Sequence, residues 1–261
     1  MFSLFFQAVI PFILSAIVVI IIMYIAEKYG SKTGGILGTL PSTIVVAFIF
    51  IAYNEGNIFA SEAASVVPAE LGINVIFLFV FSLLVHKSSS LAFIITFIIW
   101  AFLSSLLIIF NMNNVYLSLV IYLLSVSFAF LLLEHKKQIP SIGKIKVENS
   151  FRKIIFRGFL AGIVIAISVL LSNIGSVISG VFTVFPAILF STMLICVREH
   201  GADFAAGMAK SMVLGLSSVA TYATIIHFLY PEYGVIIGSI VAYILSFFVT
   251  IIIFLFRKKI R

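Results

Sequence analysis

Charge is what this sequence has least of. Only 10% of its 261 residues are Asp, Glu, Lys or Arg, against roughly a quarter in a soluble domain. The deficit excludes a chain whose surface mostly meets water. Cysteine occurs once, as Cys196. One thiol excludes an intramolecular disulfide framework and a cysteine metal cluster. No His-x-x-x-His pair, paired-carboxylate motif or phosphate loop occurs, so neither a catalytic site nor a cofactor is expected. The stretch Glu199-His200 with Asp203, like His135 beside Glu134, reads as solvated helix ends.

What is present is apolar. Hydrophobic residues make up 63% of the chain, and the mean hydropathy is +1.30. A run of about 20 apolar residues spans a bilayer core as a helix. Here such runs are apolar on all faces, not alternating as barrel strands would be. The expected fold class is all-α: a polytopic membrane bundle of about nine helices, over 5–26, 34–53, 60–85, 89–110, 115–134, 153–172, 176–197, 203–229 and 234–256. Polar turns separate them, such as Asn54-Glu55-Gly56-Asn57 and Tyr230-Pro231-Glu232-Tyr233-Gly234. The N-terminal run, apolar from Phe2, lacks a positive n-region and reads as a retained first helix.

Assigning the loops alternately to two sides segregates the basic residues. Lys28, Lys32, Lys87, the cluster from Lys136 to Lys153, Arg198 and the run from Arg257 all fall on one side. The positive-inside rule makes that side cytoplasmic, with the N-terminus outside and the C-terminus inside a multi-pass cell-membrane protein. The formal net charge of +7 therefore reads as attraction to anionic lipid, not to nucleic acid.

Shifted by 145 positions, the sequence meets itself without gaps. Gly35 falls on Gly180, Pro41 on Pro186, Gly56 on Gly201, Phe59 on Phe204 and Ala60 on Ala205. This predicts a four-helix repeat over 1–112, a linker helix with a basic loop over 113–150, and a second repeat over 151–261. One intervening helix inverts the second unit. Inverted pairs of this kind are common among transporters. Gly180-Val181-Phe182-Thr183-Val184-Phe185-Pro186, followed by Arg198-Glu199-His200-Gly201, resembles the GlpM-like family of small bacterial membrane proteins. The resemblance covers about half of the chain at one copy and implies a membrane protein, without a mechanism.

Three features suggest a path through the bilayer. Thr39, Pro41, Ser42 and Thr43, and Thr183 with Pro186, sit in two matching Gly-x5-Pro segments. Proline frees a carbonyl that must be satisfied again in lipid. Glu70 lies about 15 Å into its helix at 1.5 Å per residue, with Asn74 one turn on. A carboxyl so deep needs a partner or a cavity. Lys210, Ser217, Thr221 and Thr224 share a helical face and predict a hydrated wall, with Glu70 and Lys210 as a possible ion pair. The expected partners are the lipid bilayer and a small solute or ion, with a homo-oligomer allowed. The expected function is a transporter or channel. The alternatives are an accessory protein of an envelope complex and a lipid-handling protein, its openings lined by some of the 28 phenylalanines.

Overall fold

The computed structural model describes residues 5–28, 40–133 and 151–260. Thr39, like the glycines Gly35 and Gly38 and the basic loop after residue 133, lies outside the described residues. The fold is all-α, with no strand among the described residues. A π-helical turn at Phe5–Val9 leads into α1 (Ile10–Lys28). There follow α2 (Ser42–Glu55), α3 (Asn57–Ser65), α4 (Val67–Leu84), α5 (Ser89–Ile109), α6 (Val115–Leu131), α7 (Phe151–Leu171), α8 (Ser176–Thr183) and α9 (Ala187–Ile260). The last is one helix only nominally. Gly201 and Gly234 leave helical geometry inside it, giving segments α9a (187–200), α9b (202–233) and α9c (235–260).

Most expected helices are found, with two instructive differences. The helix expected over 176–197 is broken at Val184–Pro186 into α8 and α9a. Proline lacks the N–H that would continue the ladder. There is no break at Tyr230-Pro231. The helix runs through both and turns at Gly234, whose φ is 75°.

Gly56 (φ 93°, ψ 165°) and Gly201 (φ 84°, ψ −179°) adopt nearly the same backbone conformation, one open essentially to glycine alone. Both prolines of the Gly-x5-Pro segments open a helix in the same way. Ser42 N donates to Leu40 O and Val45 N to Pro41 O; Ala187 N donates to Phe185 O and Phe190 N to Pro186 O. These four bonds coincide pairwise at the offset of 145.

The core sits where α4 packs against α6, α9 and α5. α3 and α4 form one nearly continuous run, Asn57–Leu84, mostly buried in the fold. A second close pairing joins α1 to α7. It is built on Gly158 and Gly162, where an added Cβ would stand 2.9 Å from Ala16 O and 2.7 Å from Phe12 O. Glycines four apart let helix backbones approach closely.

The outer faces of α5, α6 and α9c are apolar. Ile98, Phe102, Leu124, Phe128, Ile240 and Ile252 are all exposed. Contiguous exposed apolar surface marks contact with something other than water. Four described helical runs are long and apolar enough to cross a membrane, and the architecture is compatible with a helical membrane bundle.

Candidate functional site

Glu70 stands at the middle of the Asn57–Leu84 run and is fully buried. A turn at Val66, with Pro68 following in the first turn of α4, sets it there. Its Oε1 accepts two hydrogen bonds from α5: Trp100 Nε1 at 2.6 Å and Ser104 Oγ at 3.0 Å. The donors are four residues apart and so occupy one helical face. Its Oε2 is buried and has no hydrogen-bond partner among the described residues.

Asn74 follows one turn later on the same face of α4. It is 1% exposed. Its Nδ2 donates to the backbone oxygen of Val184 at 2.8 Å. That carbonyl belongs to the break ahead of Pro186, where a few looser bonds hold the backbone: Val184 N to Val181 O at 3.4 Å and Phe185 N to Phe182 O at 3.3 Å. Asn74 thus supplies the donor that the broken helix lacks. Its own Oδ1 is buried and has no hydrogen-bond partner among the described residues.

Aromatic rings close the site. Phe185 meets Trp100 edge to face at 4.8 Å, and Phe97 lies 5.5 Å from Trp100. Beyond them opens an apolar cleft of about 410 Å³, lined by Phe97, Phe156, Phe185, Pro186 and Phe190 among others. Underneath, Gly180 presses on α3: a Cβ there would lie 2.1 Å from Ala63 O. Thr183 caps its own turn, Oγ1 to Gly180 O at 2.6 Å. The structure therefore sets Asn74 on the Val184 carbonyl, between Thr183 and Pro186 in the chain, and Glu70 on Trp100, which packs against Phe185.

The other expected residues stand apart. Glu70 is bonded by Trp100 and Ser104 and not by Lys210, so the expected ion pair is not formed. Lys210 is half-buried on α9b. The hydroxyls of the stripe are bonded within the protein. Thr221 and Thr224 donate to carbonyls of their own helix, Ser217 O and Ala220 O, each at 2.8 Å. Helical Thr side chains commonly bond back in this way. Ser217 instead meets Tyr122 OH at 2.8 Å, joining α9b to α6. Pro41, Ser42 and Thr43 open α2 and are not partners of Glu70 or Asn74.

The helix-end carboxylates and imidazoles disperse. Glu199 pairs with Lys153, and Asp203 meets His86 at 3.2 Å on the surface. Among the described residues no group of three His, Cys, Asp or Glu side chains could hold a metal ion.

Sequence reasoning missed Trp100 and Ser104. Both lie in a strongly apolar helix, and only their four-residue spacing pointed to a polar face. Arg157, close after the basic cluster in sequence, is 5% exposed within the bundle, a burial that sequence reasoning did not find.

The fold and site define a helical bundle compatible with a membrane, with one buried carboxylate beside a broken helix. No family model, curated protein or solved structure matches the chain, so the reading of function rests on this geometry.

Proposed function

We propose that the protein is a multi-pass membrane transporter or channel for a small solute or ion, built from two inverted four-helix repeats joined by α6. One observation carries this reading. Glu70 and Asn74 are buried at the midpoint of a membrane-length run, and Asn74 holds the carbonyl of a broken helix. Burying a carboxyl and a broken backbone in a bilayer is costly, and such features concentrate at transport sites.

The repeat reading draws support from several places. The Pro41 and Pro186 turns share their hydrogen bonds, and Gly56 and Gly201 share their dihedrals. Corresponding helices pack on each other, α1 on α7 and α4 on α9. A second cleft, between Val45, Ile49 and α9c, occupies the place that corresponds to the first. With the basic loops cytoplasmic, the N-terminus lies outside and the C-terminus inside. The resemblance to GlpM-like proteins adds a prior for the membrane.

The test is flux in proteoliposomes. Glu70→Gln keeps shape and removes the charge. It is expected to abolish flux while leaving insertion and folding intact. Normal flux from that variant would remove Glu70 from the mechanism and favour an accessory role in an envelope complex.

A second reading, lipid handling, is favoured by the aromatic cleft at Phe97, Phe185 and Phe190. It predicts phospholipid retained through detergent purification and lost in Phe185→Ser.

A further inference from the structure

We propose that Glu70 and Asn74 bind one dehydrated monovalent metal cation of the sodium class, with Trp100 and Ser104 as positioning residues. The proposal rests on the transport reading only for the cation's use as a coupling ion; binding itself is independent of it.

The argument starts from what the two side chains offer. Both hydrogen bonds to Glu70 fall on Oε1, which fixes the carboxylate plane and leaves Oε2 free to act as a ligand. Asn74 commits its N–H group to Val184 O at 2.8 Å. Turning the amide over would break that bond, so the group presents only Oδ1. The result is two buried oxygen acceptors, neither with a partner among the described residues. They lie one turn apart on the same face of α4, the spacing at which helix side chains are neighbours.

With Glu70 ionised, these are acceptors without donors, which calls for a cation, and hard oxygen ligands call for a hard one. A neutral solute would have to bring donors to both oxygens. A single carboxylate balances a single charge. α5 and α8 contain no ionisable side chain, α6 only Tyr116 and Tyr122, and α3 only the exposed Glu62. On α9b, Lys210 is not bonded to Glu70. A divalent ion ordinarily takes more carboxylates than this.

The backbone is suited to complete the shell. Val184 O carries a second lone pair beside the Asn74 amide. Carbonyls of unwound segments serve as cation ligands in transporters with broken helices.

Trp100 is the only tryptophan in the chain, and its indole N–H is bonded to the proposed ligand. Its emission is a built-in reporter. The experiment uses the full-length protein in detergent micelles. Sodium chloride replaces choline chloride at constant ionic strength, at neutral and at alkaline pH. A saturable change in Trp100 emission is expected, together with sodium-dependent thermal stabilisation of the unmutated protein. Glu70→Gln should abolish both. Ser104→Ala should still fold in choline, less stable than the unmutated protein because it loses a bond to the buried carboxyl, and should weaken sodium binding about tenfold, as loss of a ligand-orienting bond does.

A protein that ignores sodium at both pH values overturns the proposal. So does a sodium response that survives Glu70→Gln. If sodium binding fails while Glu70-dependent flux persists, this inference falls and the transport reading stands. Sodium binding without flux sustains the inference and removes the transport reading.

Discussion

Trp100 and Ser104 both donate to one oxygen of Glu70, so the burial of that carboxyl depends on two bonds from a neighbouring helix. Removing one partner of a buried hydrogen bond costs about 1–3 kcal/mol. Trp100→Phe should therefore lower the unfolding free energy by that order, measured by denaturation in detergent. A double-mutant cycle with Glu70→Gln isolates the pair. A coupling energy near zero would mean that the bond does not hold the carboxyl in solution. Asn74→Leu should be costly for a different reason, because it strands the Val184 carbonyl that Asn74 now bonds. A loss of about 1–3 kcal/mol is expected.

Glu70 and Asn74 were legible in the sequence because polar groups inside a continuous apolar run are conspicuous. Their partners were not. Trp100 reads as one more apolar residue, and nothing along a helix shows which face meets a neighbour. Lys210 misled for the converse reason. Its charge was visible, but its position relative to Glu70 depends on how α9b packs on α4. That Thr221 and Thr224 bond to their own helix was not legible either, because a shared face is compatible with that bonding and with a polar lining alike.

Among the elements, glycine sets how closely helices meet and where they turn. At Gly180, a methyl group would lie 2.1 Å from Ala63 O. Backbone cannot yield cheaply, so Gly180→Ala should cost at least about 1–3 kcal/mol and loosen α8 from α3. Gly56 and Gly201 make a different case. Nothing lies within 4 Å of a Cβ at either, so the penalty for alanine is conformational alone, about 1–3 kcal/mol. The two variants should lose similar amounts of stability in thermal melts. A large inequality would argue that the two turns are not equivalent.

The helices themselves were largely readable from apolar runs and turn residues. The break at Pro186 was readable too, from proline chemistry. The last turn falls inside the expected Tyr230–Gly234 stretch, but the residue that carries it was not legible: the helix tolerates Pro231, and the chain turns at Gly234, which is able to take φ 75°. The α1–α7 contact through Gly158 and Gly162 was present as a four-residue spacing. It was masked by the number of glycines that have no such role.

For the whole molecule, the account depends on two similar units placed head to tail across a bilayer. The buried carboxyl and its two donors belong to one unit, and the broken helix that Asn74 bonds belongs to the other. At the offset of 145, Glu70 and Asn74 fall on Gly215 and Val219. The second unit instead buries Tyr222, Tyr230 and Ser239, with Tyr230 OH 2.7 Å from Ser239 Oγ. On the proposed duplication, the scaffold would be the common part and the carboxyl a feature of the first unit. The described basic residues that predict orientation, Lys28, Lys87, Arg152, Lys153 and Arg198, stand at helix ends or in a turn, where charge costs little and the sequence is most direct.

The most direct test of the central claim is the sidedness of two corresponding turns. Cys196, buried and single, is first replaced by Ser. Single cysteines then replace Asn57 or Ala202, at the starts of α3 and α9b. An impermeant thiol reagent is applied to intact cells. The account predicts that position 57 labels from outside and position 202 only after permeabilisation. Labelling of both from the same side would contradict the inverted arrangement, and the shared transport site would fall with it.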